Sequence, residues 1–133
     1  MPEFTGIDHL AITVSDLEVS LPFYERLWGM THADELGGDT FHRAIFRLPG
    51  GTTVGLTQHD APINEPFSPL RPGMDHVGFG VATRDELQRW VIHLDAAGIE
   101  HSGLVDVSYG SALSVKDPDG TALEFFVRPQ PTA

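Results

Sequence analysis

The chain has 133 residues, of which 41% are hydrophobic, and this is enough sequence for one ordinary domain with a substantial core. It contains no cysteine, so disulfides, thiolate catalysis and iron–sulfur clusters are excluded, and any metal ion must be held by imidazole nitrogens and carboxylate oxygens. The formal net charge of −11 opposes binding to a phosphate backbone, and we expect no nucleic-acid partner.

The amino-terminal residues 1–5 lack the basic and apolar regions of a signal peptide. No run of apolar residues approaches the length that a membrane span requires. We therefore expect a cytoplasmic protein without membrane contact.

The sequence contains an internal repeat. Gly-Ile-Asp-His-Leu at 6–10 returns as Gly-Met-Asp-His-Val at 73–77, with an offset of 67 residues. Pro-Gly-Gly-Thr at 49–52 returns as Pro-Asp-Gly-Thr at 118–121, with an offset of 69 residues. Two copies of one pattern predict two similar modules, with an insertion of two residues between the matches.

The first half begins with an apolar strand at 7–14, and a helix is predicted to follow it. A capping pattern begins at Ser15, but a helix from that point would contain Pro22, so Ser20 is the alternative cap. Gly29 is predicted to end the helix. Three further strands are expected at about 30–36, 40–48 and 52–59.

The second half repeats this order. A strand is predicted at 74–81, and the Thr-Arg-Asp-Glu capping box at 83–86 starts an amphipathic helix that Gly98 ends. The apolar stripes of both helices, including Trp28 and Trp90, are interpreted as core packing. Three strands are expected at about 99–106, 109–116 and 120–127.

These elements predict an α+β fold made of two tandem βαβββ modules, at about 6–59 and 73–128. A proline-rich linker at about 60–72 joins the modules within one domain that spans 1–133, and residues 129–133 are expected to form a loose tail. Each module leaves one sheet face uncovered. Two mixed sheets are therefore expected to form a cup with the helices outside.

The most specific motifs are the two Asp-His pairs of the repeat and the segment Asp-Pro-Asp-Gly-Thr-Ala-Leu-Glu-Phe at 117–125. They resemble the vicinal oxygen chelate superfamily, which includes glyoxalase I, bleomycin resistance proteins, methylmalonyl-CoA epimerase, fosfomycin resistance enzymes and type I extradiol dioxygenases. The resemblance covers residues 7–127.

The resemblance implies a metal site formed by His9, His76 and Glu124, which would point into the cup. The repeat places the two histidines at equivalent positions. Two nitrogens and one oxygen suit a divalent Fe, Mn, Zn, Ni or Co ion. Such an ion would bind a small-molecule substrate through two vicinal oxygens.

One position departs from the family. With the offset of 69, Glu124 corresponds to Gly55, where glyoxalase I and the epimerase have a fourth metal ligand. A site with three protein ligands has open coordination positions, as in the facial triad of non-haem Fe(II) oxygenases. Gly55 therefore disfavours glyoxalase I chemistry and favours dioxygenase-like chemistry.

Two residues are candidates for acid–base catalysis. His59 shares a strand face with residue 55 and is an acid–base residue at the cup rim, a metal ligand if a bulge redirects its side chain, or a solvated histidine beside Asp60. Tyr109 is the best-placed phenol. His42 is a weaker candidate for proton transfer. Three further histidines are interpreted as surface residues: His32, His93 and His101.

The sequence thus predicts a metal-dependent enzyme, either a dioxygenase or a glyoxalase-like lyase or isomerase, that forms a homodimer. Whether the site lies within one chain or across two is left open. The alternative is a drug-binding or resistance protein similar to bleomycin resistance proteins, without catalysis, and the acidic charge favours it. Group transfer to an antibiotic, as in the fosfomycin resistance enzymes, is a third possibility.

Overall fold

A computed structural model describes residues 1–129 of the chain. Except for residue 129, the predicted tail lies outside the described residues. The chain divides into two compact units, and the boundary in the sequence lies between Glu65 and Pro66, inside the predicted linker. Each unit has one helix and one four-stranded mixed sheet, which confirms the α+β prediction of two tandem βαβββ modules.

The first unit has a sheet of strand order β1-β4-β3-β2, in which β1 runs parallel to β4 and the other neighbours are antiparallel. The crossover from β1 passes through the helix α1, as parallel strands require. The elements are β1 (His9–Thr13), α1 (Leu17–Trp28), β2 (Asp34–Gly37), β3 (Phe41–Arg47) and β4 (Thr53–His59).

The second unit repeats this topology, with strand order β5-β8-β7-β6 and a parallel pair of β5 and β8. Its helix begins after Thr83, whose side chain accepts a hydrogen bond from the Glu86 amide at 3.1 Å, as predicted. The elements are β5 (Val77–Gly80), α2 (Arg84–Ala96), β6 (Leu104–Val107), β7 (Gly110–Lys116) and β8 (Ala122–Val127).

The start of α1 differs from one prediction. Asp16 caps the helix by accepting a hydrogen bond from the Glu18 amide at 2.9 Å, and the alternative cap at Ser20 is wrong. Ser20 lies inside the helix, where its amide donates to the Asp16 carbonyl oxygen at 2.9 Å. Pro22 removes one helical hydrogen bond, but the burial of Tyr24 and other apolar residues of the next turn offsets this cost.

Each helix covers one face of its own sheet. Trp28 of α1 packs edge-on against Phe46 of β3 with ring centroids 5.0 Å apart, and Trp90 of α2 stacks on Phe125 of β8 at 4.2 Å. These contacts confirm that both tryptophans pack against apolar residues. We call the opposite side of each sheet its helix-free face, and strand alternation assigns every second residue to it.

His32, interpreted from sequence as a surface residue, has two acidic partners instead. Its Nδ1 lies 2.9 Å from Glu25 of α1 and its Nε2 lies 2.9 Å from Glu35 of β2, and only 25% of its side chain is exposed. The hydrogen bond to Glu25 raises the pKa of His32, partial burial opposes this rise, and Glu35 adds to it. Sequence spacing did not reveal these partners because they belong to different elements.

In residues 1–129, neither helix combines the length and the apolar run that crossing a bilayer requires.

The raised pKa of His32 predicts a pH-dependent contribution to stability. The folded state binds the His32 proton more tightly than the unfolded state, so the stabilisation is complete below the unfolded pKa and is lost as the pH rises through the folded pKa. We expect His32→Asn to lower the Tm more at about pH 6 than at about pH 8.5. An equal loss at both pH values would contradict the linkage.

Candidate metal centre

His9 begins β1 and lies on the helix-free face of its sheet. Ile12 on the same strand is buried on the helix side. Side chains alternate along a strand, so the odd-numbered residues His9, Ala11 and Thr13 share the other face. The side chain of His9 is 68% exposed, and its Nδ1 lies 2.8 Å from Oδ2 of Asp8. A carboxylate only accepts hydrogen bonds, so Nδ1 donates the proton and Nε2 presents a free lone pair.

His76 repeats this arrangement just before β5. Its Nδ1 lies 2.7 Å from Oδ1 of Asp75, and half of its side chain is exposed. Metal-binding histidines commonly donate their second ring N–H to a carboxylate in this way, which orients the ring and increases its basicity. Both Asp-His pairs are therefore prepared to offer Nε2 to a cation.

Glu124 lies close to His76 within the second unit. It pairs with Gly78 across the parallel strands β5 and β8, and its Oε1 is 3.9 Å from the place that a Cβ on Gly78 would occupy. The hydrogen bond to Asp75 raises the pKa of His76, partial burial opposes this, and the negative charge of Glu124 adds to the rise. The same charge that favours a proton on His76 also favours a metal cation there.

The donor types fit a divalent ion. His9, His76 and Glu124 supply two imidazole nitrogens and one carboxylate oxygen, a set suited to a first-row transition metal or zinc. His76 and Glu124 come together in the second unit, whereas His9 belongs to the first. Within residues 1–129, no group of three or more His, Asp or Glu side chains is close enough to hold a metal.

Gly55 occupies the position that corresponds to Glu124 in the first unit. It lies on β4 between Ala11 of β1 and Ile45 of β3. A Cβ at Gly55 would lie 2.8 Å from Cδ of Arg43, so the side chain of Arg43 fills the space in which a fourth ligand would begin. Arg43 is not among the residues predicted from sequence, although strand alternation on β3 places it on the same face as Ile45.

His59 lies far along β4 from His9. His9 pairs with Thr53, and His59 is six residues further along the strand, or roughly 20 Å at the usual rise. That separation prevents His59 from sharing an ion with His9. Its assignment as an acid–base residue stays a prediction.

Tyr109 lies in the turn between β6 and β7, and its side chain is 68% exposed. Its ring stacks on Phe126 with centroids 6.1 Å apart. Phe126 is two residues from Glu124 on β8, so both point to the helix-free face. Tyr109 is therefore on the side of the sheet that a proton donor near Glu124 requires.

A groove of about 510 Å³ lies in the first unit between α1 and the strands β2 and β3. Leu17, Leu21 and Ala44 are among its lining residues, and His42 is also part of the lining. These residues belong to the helix side of the sheet, whereas Arg43, which also contributes to the lining, lies on the face that carries His9.

Comparison with known proteins identifies related chains. Metallothiol transferase FosB of Staphylococcus epidermidis is 28% identical over 126 residues, which cover 92% of this chain and 81% of FosB. Metapyrocatechase of Geobacillus stearothermophilus is 25% identical over 129 residues, which cover 92% of this chain but 36% of metapyrocatechase. This chain thus spans about a third of the length of metapyrocatechase.

Among solved structures, the glyoxylase/bleomycin resistance protein/dioxygenase domain from Frankia sp. EAN1pec superimposes with a TM-score of 0.88 and 29% sequence identity. The match covers 98% of this chain and 96% of that one. The family model of the same superfamily matches residues 6–125. The chain therefore belongs to the Glyoxalase/Bleomycin resistance protein/Dioxygenase superfamily.

Proposed function

We propose that this protein is a metal-dependent enzyme in which His9, His76 and Glu124 hold one divalent ion that binds two adjacent oxygens of a small substrate. The observation that supports this most is the matched pair of carboxylate–imidazole hydrogen bonds, 2.8 Å at His9 and 2.7 Å at His76. One such contact is common on protein surfaces. Two at equivalent repeat positions, each leaving Nε2 free, are the arrangement that metal ligation uses.

The roles of the residues follow from their contacts. Asp8 and Asp75 fix the ring orientation and tautomer of their neighbouring histidines, and Glu124 supplies negative charge beside His76. When bound, the ion acts as a Lewis acid for substrate oxygens that develop negative charge. The phenol of Tyr109, on the same side of the sheet as Glu124, is the proposed proton donor or acceptor.

The reaction class is proposed to be dioxygenase-like, with glyoxalase-like lyase or isomerase chemistry as the second candidate. Gly55 supplies no side chain, so three protein ligands leave coordination positions for two substrate oxygens and a further small molecule. The relatives metallothiol transferase FosB and metapyrocatechase are named as enzymes, and their similarity to this chain supports a small-molecule substrate here.

Metal content tests the proposed ligands. We expect about one divalent ion per chain in protein purified without chelator, and background levels in His9→Ala, His76→Ala and Glu124→Gln, measured by elemental analysis. His42→Ala is the matched control because this histidine lies on the helix side of its sheet. Stoichiometric metal in all three site variants would contradict the proposed ligand set.

The Asp-His hydrogen bonds predict a smaller, graded effect. Asp75→Asn keeps all three ligands but weakens the acceptor for the His76 N–H, so we expect metal affinity to fall about 10- to 100-fold. Competition with a chromophoric chelator measures this change. An affinity equal to that of the unsubstituted protein would show that the contact with Asp75 does not orient a ligand.

Oxygen consumption separates the two reaction classes. Protein loaded with Fe(II) without air and then mixed with oxygen and a panel of catechols is expected to consume oxygen, and Glu124→Gln is expected to abolish the uptake. Turnover of a hemithioacetal without oxygen uptake would instead assign glyoxalase-like chemistry.

A non-catalytic binding protein is the alternative function, and the net charge of −11 favours it because an acidic protein attracts cationic drugs. This alternative predicts that chelator-treated protein binds bleomycin and that His9→Ala does not weaken the binding. The proposed enzyme predicts that bound metal, rather than overall charge, determines which small molecules bind.

The homodimer is also a proposal, and co-expression tests whether two chains share a site. If each site takes His9 from one chain and His76 from another, a mixed dimer of His9→Ala and His76→Ala chains retains one intact site. If each chain builds its own site, the mixed dimer binds no metal. Two purification tags isolate the mixed dimer for metal analysis.

A further inference from the structure

Arg43 occupies an unusual position for a cation in this chain. It lies on β3 directly opposite Thr57 of β4, and its side chain crosses Gly55, which in the repeat corresponds to the acidic residue Glu124. A Cβ on Gly55 would be 2.8 Å from Cδ and 3.2 Å from Cγ of Arg43. The first unit therefore has a positive group where the second unit has a negative one.

Two contacts hold the guanidinium group in place. Its Nε donates a hydrogen bond of 2.7 Å to Oγ1 of Thr57, a residue that is only 2% exposed. The guanidinium carbon lies 5.1 Å from the centroid of the Phe41 ring, within the range of a cation–π contact. Arg43 is half-buried, so its orientation is defined before any ligand arrives.

In the part of the chain that the structure describes, no carboxylate forms an ion pair with this cation. Within residues 1–129, the Nη1 and Nη2 atoms of Arg43 donate no hydrogen bond and form no ion pair, although the chain has 19 acidic and 8 basic residues. Arg47, four residues further along β3 and on the same face, differs because its Nη2 lies 2.7 Å from Oδ2 of Asp34. The free edge of the Arg43 guanidinium matches the two oxygens of a carboxylate.

The geometry points to Arg43 as an anion-binding residue that selects substrates bearing a carboxylate. Arg43 lies over Gly55, and His9 pairs with Thr53 two residues earlier on β4, so the Cα atoms of His9 and Gly55 are about 8 Å apart. This spacing suits a compact molecule whose carboxylate is one ring or a short chain away from its adjacent oxygens. The substrate class rests on the proposed metal-dependent function, whereas the anion site does not.

The first test examines the anion site without metal. In the spectrum of chelator-treated, ¹⁵N-labelled protein, the side-chain Nε–H resonance of Arg43 is identified as the one that is missing in Arg43→Lys. We expect benzoate to shift this resonance. Neutral benzamide is expected to leave that resonance unchanged, and the Arg47→Met control should respond to benzoate like the unsubstituted protein. An Arg43 resonance that does not move throughout the benzoate titration would overturn the inference.

The second test examines substrate selection with Zn²⁺-loaded protein. We expect 3,4-dihydroxybenzoate to bind about tenfold or more tightly than 3,4-dihydroxybenzamide, which has the same adjacent oxygens but no charge. In Arg43→Met this ratio should fall to about one, while the affinity for the benzamide stays unchanged. A ratio that persists in Arg43→Met would overturn the assignment. If the protein takes up no Zn²⁺, the proposed function fails. The benzoate titration alone then tests whether Arg43 binds anions.

The contact between Arg43 and Gly55 yields an independent prediction of stability. Gly55→Ala should lower the Tm by about 4 °C, because the added methyl group displaces the Arg43 side chain from Thr57. In the Arg43→Ala background the same change should raise the Tm, since alanine suits a strand better than glycine. A Tm loss of equal size in both backgrounds would show that Arg43 does not lie across Gly55.

Discussion

The packing of one helix against one face of a four-stranded sheet is the constraint on which each half of this chain depends. Because Trp28 packs against Phe46 and Trp90 packs against Phe125, alternate residues of the central strands lie in the core. Because side chains alternate along a strand, the residues in between must all point to the other face. His9, Glu124 and Arg43 are on that second face as a direct result of how the core is packed.

The two halves share a backbone plan but differ in the chemistry they carry on the helix-free face. Both keep an Asp-His pair with the same hydrogen bond at the first strand. The second half adds Glu124 beside its histidine, while the first half has Gly55 with a guanidinium group across it. The two halves therefore share the elements that position side chains but differ in the charge that those elements present.

The sequence predicted most of the fold because the repeat is explicit and the helix caps are local signals. Thr83 illustrates this, since its hydrogen bond lies within three residues of it in the chain. Predictions failed where distant elements decide the outcome. Pro22 lies within α1 because the burial of the following turn outweighs one missing hydrogen bond, and His32 is held by acidic residues from α1 and β2.

The candidate site was predictable in part for the same reason. The repeat and the family resemblance singled out His9, His76 and Glu124 without any knowledge of packing, and their joint role as ligands stays a prediction. Arg43 was missed because its significance depends on the register that sets β3 beside β4, which the sequence does not display. A glycine at position 55 signals an absent side chain, but only the structure shows which neighbour uses the space.

The close approach of Arg43 to Gly55 also restricts how this protein can change during evolution. A single substitution of Gly55 by glutamate would place a new side chain in occupied space and beside an opposite charge, so it would not by itself supply a metal ligand at that position. Replacing Arg43 first would remove the group that fills that space. Adding a side-chain ligand at position 55 to the proposed metal site therefore requires changes at both Arg43 and Gly55, and their order determines whether the intermediate is stable.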